Sequence, residues 1–247
     1  MIFENKYIKE FEILIKNLCK YGVCQPRNFL PVKRKRVVYL EMPKVANTSI
    51  KASILGYQNL EDSITIQIIA SEQIVHELNE KQKDYFKFTF VRNPFERLVS
   101  CYESKYKTDQ KYLGKELEHL WYDYYLFGYI KKDKGFDSFV RKIYRIPNCL
   151  KDFHFIPQYN IIFDKKKQCM VDYVGKIENI DKVYPKLCKK YMFDELPHMN
   201  RSEKKTWMDY YTKKTAQMVY QMYKKDIVKF GYTNEYKKLI KYLSEKK

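Results

Sequence analysis

RVVYLEMPKVANTSIK, residues 36–51, sets a short apolar run against a proline turn and then against residues that open helices. Val37, Val38, Tyr39 and Leu40 are β-branched, aromatic or bulky, and an uninterrupted run of that length fits a strand buried on both faces of a parallel sheet. Pro43 ends the ladder. Asn47, Thr48 and Ser49 all favour the N-cap, so a helix is expected over about 48–55, with unpaired backbone N–H groups and the positive end of its dipole at the turn. That is where a phosphate-like or sulfate-like anion binds. Lys44 adds a mobile positive charge, and Thr48 and Ser49 add hydroxyl donors. No glycine occurs between Arg36 and Ile54, so this is not the glycine-rich loop that wraps a triphosphate in P-loop kinases and ATPases.

A second stretch, FKFTFVRNPFERLVS at residues 86–100, has the same layout. A strand is expected over 85–91, broken by Arg92-Asn93-Pro94, with Pro94 in the first turn of a helix running to about residue 107. Arg92 at the strand end offers a two-pronged donor to an oxyanion, and Ser100, two turns into the helix, offers a hydroxyl. The alternative for Arg92 and Arg97 is surface pairing with Glu96 or Glu103.

Together the two stretches resemble the nucleotide-binding signatures of sulfotransferases that use 3′-phosphoadenosine 5′-phosphosulfate. The similarity is greatest to the Golgi carbohydrate sulfotransferases related to the chondroitin and HNK-1 enzymes. The family's 5′-phosphosulfate signature stands here as Pro43, Lys44, Val45, Ala46, Asn47, Thr48 and Ser49. Its 3′-phosphate signature stands as residues 92–100, with Arg92 and Ser100 as the ligands. VDYVGKIEN at 171–179 and LPHMNRS at 196–202 also resemble the family, the latter adding Arg201 to the nucleotide-binding set, so the likeness spans about residues 36–232. Asn47, Ile50 and Asn93 depart from residues common in relatives without removing a proposed ligand group.

The resemblance implies a P-loop-like α/β fold with a mainly parallel central sheet flanked by helices. It also implies transfer of a sulfuryl group to a carbohydrate hydroxyl, with 3′-phosphoadenosine 5′-phosphosulfate as co-substrate and no metal. Lys44 is placed for the bridging oxygen of the leaving group. By analogy with phosphoryl transfer, positioning and fixed positive charge dominate. The general base is sought among His76, His119, His154 and His198. His154, in KDFHFIPQYN, resembles a family stretch in which Asp, His and Gln recur, and is the first candidate; packing between Phe153 and Phe155 is its structural alternative. His76 is the second, by analogy with heparan-type relatives, although SEQIVHELNE reads as an amphipathic helix.

With 247 residues, 45% of them hydrophobic, the chain can bury a full core. It shows no linker, repeat or low-complexity run. One domain over 1–247 is expected, with a helical N-terminal extension over 1–35 and a final helix over 233–247. The apolar face of residues 3–18 packs on the domain or makes a peripheral membrane contact. ITIQII at 64–69 alternates as a strand does, Ser71 caps a helix to about 83, Asn179 one to about 191, and Thr212 one to about 229.

The net charge of +18, from 48 Lys and Arg against 30 Asp and Glu, favours anionic donors and an acidic carbohydrate acceptor. Tyr106, Tyr112, Trp121, Tyr122, Tyr124 and Tyr125 are candidates for stacking on sugar rings, or core. A nucleic-acid-binding protein fits the charge but lacks a motif, and a P-loop kinase lacks its glycines, so no nucleic-acid partner is expected. The six cysteines show no zinc-ligand spacing, no run is long enough to span a bilayer, and a cytoplasmic enzyme is expected.

Overall fold

The computed structural model describes residues 2–57, 63–107, 125–132, 134–197 and 206–246. Among these the chain runs α1 (Ile2–Tyr21), β1 (Phe29–Val32), β2 (Val37–Leu40), α2 (Asn47–Leu55), α3 (Ser63–Gln73), α4 (Glu80–Lys83), β3 (Phe86–Val91) and α5 (Pro94–Lys105). It continues through α6 (Phe136–Arg145), α7 (Gln158–Ile162), β4 (Tyr173–Lys176), α8 (Ile180–Tyr191), α9 (Lys213–Met222), α10 (Lys224–Lys229) and α11 (Thr233–Glu245). Two compact units divide it. One comprises Arg27–Arg92 and Gln158–Glu203; the other comprises Met1–Pro26, Asn93–Pro157 and Lys204–Lys247.

The first unit holds the sheet, in the order β1-β2-β3-β4. β1 runs antiparallel to β2, while β2, β3 and β4 are parallel, so the fold is α/β as expected. Parallel neighbours need long crossovers, supplied by the helices between β2 and β3 and between β3 and β4. All four residues of β2 are buried, as its unbroken apolar run requires. Phe86, Phe88 and Phe90 alternate along β3 and share one face. There Phe86 stacks on Tyr191 at 4.4 Å between ring centroids, Phe88 lies 5.5 Å from Phe193, and Phe90 lies 5.9 Å from Tyr184. On the opposite face Thr89 donates its hydroxyl to the Leu40 carbonyl, tying β3 to the end of β2.

Several expected elements differ. Residues 64–69 form part of helix α3, not a strand: Ile66 and Ala70 are buried while Ile64 and Ile68 are exposed, so the alternation at 64, 66 and 68 does not mark a sheet face. The helix expected from Ser71 to about residue 83 is also absent. α3 ends at Gln73, Val75 makes a bridge to Phe29, and only α4 follows, opened by a reciprocal side-chain cap between Asn79 and Gln82. Within the stretch expected to be a helical extension, residues 29–32 form an edge strand. Its Pro31 obscures it in the sequence, yet proline is tolerated at a sheet edge.

The second unit is helical among its described residues. α6 buries Phe136, Phe139, Val140 and Ile143, the spacing of one helical face. Phe95 of α5 stacks against Trp207 and Tyr236, and Tyr211 donates its phenol to the Phe95 carbonyl. The single helix expected from Thr212 to residue 229 is split at Tyr223, which leaves helical geometry and hydrogen-bonds the Phe155 carbonyl at 2.5 Å. No helix among the described residues is long and apolar enough to cross a membrane.

Gly175 of β4 lies opposite Phe90 of β3, and a Cβ built on it would stand 2.3 Å from the Phe90 ring. Phe90 is fully buried and has no room to give. Gly175→Ala is therefore expected to destabilise the protein by roughly 1–3 kcal/mol through overpacking, measured by urea denaturation; unchanged stability would contradict the close contact.

Candidate active site

After β2 the chain passes through buried Glu41, Met42 and Pro43, and then turns. Lys44 and Ala46 both take positive φ, 67° and 49°, a conformation costly for residues other than glycine and found mainly where surrounding structure enforces it. Ala46 is the N-cap of α2 and offers no side-chain hydrogen bond, so Asn47, Thr48 and Ser49 form the first turn and none of them caps it. This corrects the expectation that one of the three would be the cap. The first helical bond runs from Ile50 N to Ala46 O, which leaves the amides of the first turn, with Thr48 and Ser49 among them, as donors at the helix start.

β3 ends beside this turn. The backbone N–H of Arg92 donates to Gln158 Oε1 at 2.9 Å, and Gln158 Nε2 donates back to the Arg92 carbonyl at 2.9 Å. The fully buried amide of Gln158 thus closes the strand as another strand would. The Arg92 guanidinium then reaches the Lys44 carbonyl at 3.2 Å, joining the two predicted anion sites. Glu41, just after β2, is neutralised by a buried ion pair with Lys51. Amides, hydroxyls and cations therefore predominate at this end of the sheet, a donor set that suits phosphate and sulfate esters.

His76 belongs to the same unit. It is exposed, and its Nδ1 lies 2.9 Å from the Arg27 carbonyl, which makes Nδ1 the protonated nitrogen and leaves Nε2 as the acceptor in the neutral ring. β1 runs antiparallel to β2, so Arg27 stands at the end of the sheet where β2 leads into the turn.

His154 and Ser100 lie in the helical unit. Ser100 is half-buried on α5, whose first turn is capped by the Asn93 side chain accepting from Phe95 N at 3.1 Å and carries Pro94, as expected. His154 donates from Nδ1 to Asp152 Oδ1 at 2.8 Å, and the same oxygen accepts its backbone N–H. Asp152 is buried, and its second oxygen has no hydrogen-bond partner among the described residues. The loop carrying His154 is fixed through its carbonyls. Arg97 donates to Phe153 O and Ile156 O at 3.1 and 2.8 Å, and Tyr223 to Phe155 O. Arg97 is thus no surface ion pair: it is a buried cation whose pKa is lowered first by desolvation, against upward pulls from Tyr223 and Asp226.

Arg201 and His198, with His119, Tyr112, Trp121, Tyr122 and Tyr124, lie outside the described residues. Tyr106 is core, 4.7 Å from the Phe139 ring. The sequence reading assigned no role to Gln158 and gave Arg97 only surface pairing. The motif stretches that contain them were the available signal, but only the fold shows that both act on backbone.

A turn between strand and helix at the ends of parallel strands, joined to an arginine from the next strand, gives an α/β protein a cluster of donors of the kind that phosphate and sulfate esters require. A model of the sulfotransferase family matches residues 27–233, and the chain belongs to that family. It is 26% identical over 214 residues to carbohydrate sulfotransferase 14 of Danio rerio, covering 82% of this chain and 54% of that protein. It is 22% identical over 277 residues to carbohydrate sulfotransferase 10 of Xenopus laevis, covering 91% and 76%. It is 35% identical over 89 residues to carbohydrate sulfotransferase 11 of Rattus norvegicus, covering 31% and 25%. The chain spans about half the length of the first of these. No solved structure gives a significant match.

Two outcomes follow from this geometry. Gln158→Leu removes the partner of the part-buried N–H and C=O of Arg92 and is expected to cost roughly 2–6 kcal/mol of stability by urea denaturation, at 1–3 kcal/mol for each group; a neutral result would contradict the strand-closing role. Lys151, buried with its ammonium on the Ile146 carbonyl, is pushed by desolvation from 10.5 down to about 8, against a smaller upward pull from Cys149. Because the folded pKa is below the unfolded one, charged Lys151 opposes folding fully below about pH 8, and the penalty is relieved as pH rises toward 10.5. Relative to Lys151→Met, the wild type should therefore gain stability across that window; a flat difference would contradict the shift.

Proposed function

We propose that the chain is a carbohydrate sulfotransferase, moving a sulfuryl group from 3′-phosphoadenosine 5′-phosphosulfate to a hydroxyl of a carbohydrate acceptor. The observation that carries the reading is the junction of the two signatures, with the Arg92 guanidinium on the carbonyl of Lys44. Family membership and relatives whose names specify carbohydrate sulfotransfer support it.

In this reading the first-turn amides of α2, Thr48 and Ser49 hold the 5′-phosphosulfate, with Pro43, Val45, Ala46 and Asn47 shaping the turn. Arg92, Ser100 and Arg201 hold the 3′-phosphate. The acceptor oxygen bonds to sulfur as the bond from sulfur to the 5′-phosphate oxygen breaks, releasing adenosine 3′,5′-bisphosphate. Lys44 neutralises the charge that develops on that leaving oxygen. His154 Nε2 takes the acceptor proton, while Asp152 fixes the tautomer and stabilises the imidazolium that forms. His76, with the same tautomer, is the second candidate. No step calls for a metal. The surplus of 18 positive charges fits an acidic acceptor. The cytoplasmic location expected from the sequence belongs to the same reading and is checked by cell fractionation.

Transfer of radiolabelled sulfate to a panel of glycans tests the function. Lys44→Ala should lower kcat by about 10²–10³-fold. Arg92→Ala should act mainly by raising KM for the donor. His154→Ala should keep donor affinity and lose about 10²–10⁴-fold in turnover. Normal turnover in His154→Ala would pass the base role to His76, and near-normal activity in Lys44→Ala would reject the mechanism.

A further inference from the structure

Thr48 is connected to the buried Glu41–Lys51 ion pair by one side chain, Gln67 of α3. Asn28 Nδ2 donates to Glu41 Oε2 at 2.9 Å, and Lys51 pairs with the other oxygen. Lys51 Nζ also donates to Gln67 Oε1 at 2.7 Å, and Gln67 Nε2 donates to Thr48 Oγ1 at 2.8 Å. Chemistry fixes the direction of this chain. An ammonium has no acceptor, so the amide atom facing Lys51 must be oxygen, and the amide NH₂ must face Thr48. A hydroxyl that accepts from an N–H keeps its own proton for another acceptor. Each group in the row from Lys51 to Gln67 to Thr48 donates outward, and such a row polarises its members in one sense.

We propose that Gln67 is a positioning residue for donor binding. By occupying a lone pair of Thr48, it holds the hydroxyl as a donor to an anionic oxygen at the start of α2. The inference rests on the reading that this turn binds the 5′-phosphate end of the nucleotide. It assigns a binding function to α3 and to the Lys51–Glu41 pair, which the signature motifs do not include. Without Gln67 the Thr48 hydroxyl is no longer held in that orientation.

The test is a double-mutant cycle read by calorimetric titration with adenosine 3′,5′-bisphosphate. Gln67→Met and Thr48→Val should each weaken binding roughly tenfold, the effect of one hydrogen bond to a charged oxygen. The double variant should bind no worse than Thr48→Val alone, because Gln67 acts only through that hydroxyl. Thr48→Ser should restore wild-type affinity. Gln67→Glu keeps an acceptor for Lys51, which guards against misfolding, but cannot donate to Thr48; it should weaken binding more in the wild-type background than in Thr48→Val. Equal losses in both backgrounds, or no loss in Gln67→Met, would overturn the inference and leave Gln67 a packing residue. Absence of binding by the wild type itself would withdraw the donor reading, and this inference with it.

Discussion

The amide of Gln158 closes on the N–H and C=O of Arg92, and the turn where β2 and β3 end depends on that closure. A parallel strand that stops inside a protein leaves polar backbone groups that must be satisfied. Here one buried side chain satisfies both, so β3 can end at Arg92 while the guanidinium turns toward the carbonyl of Lys44. The turn after β2 is held in return, with Lys44 and Ala46 in conformations that a free chain would rarely choose. Strand ends, and not loop glycines, set the geometry of this turn.

Buried charge is handled by two devices. In the sheet-bearing unit, Lys51 neutralises Glu41 and passes donor character through Gln67 to Thr48. In the helical unit, Arg97 carries its charge inward and spends its donors on carbonyls of the loop that presents His154. Both cations lie within the helices that follow the two motif turns yet act on neighbouring groups, a glutamine amide and loop carbonyls. An isolated buried ion pair is weak support for stability, whereas this one is tied through Gln67 to the Thr48 hydroxyl.

β2 and the turn after it were legible because four apolar residues, a proline and three helix-starting residues leave few other arrangements. Arg92 and Pro94 were legible for the same reason. α3 was not, because isoleucines at 64, 66 and 68 give a strand-like alternation, and only the packing of Ile66 and Ala70 beside an exposed Ile64 and Ile68 selects the helix. β1 was hidden by Pro31, which only an edge strand accommodates. Gln158 lies in a motif stretch and Gln67 does not, yet neither could be given a partner from sequence: a glutamine's role depends on which backbone or hydroxyl comes within 3 Å in the fold, and no spacing in the sequence encodes that. His154 was singled out through its motif, but its tautomer required the Asp152 distance.

The most direct measurement is a crystal structure with adenosine 3′,5′-bisphosphate bound. The 5′-phosphate is predicted on the amides and hydroxyls at the start of α2, and the 3′-phosphate on Arg92, with the Gln158 contacts to Arg92 intact. A nucleotide bound elsewhere, or in this turn with its 3′-phosphate away from Arg92, would contradict the account.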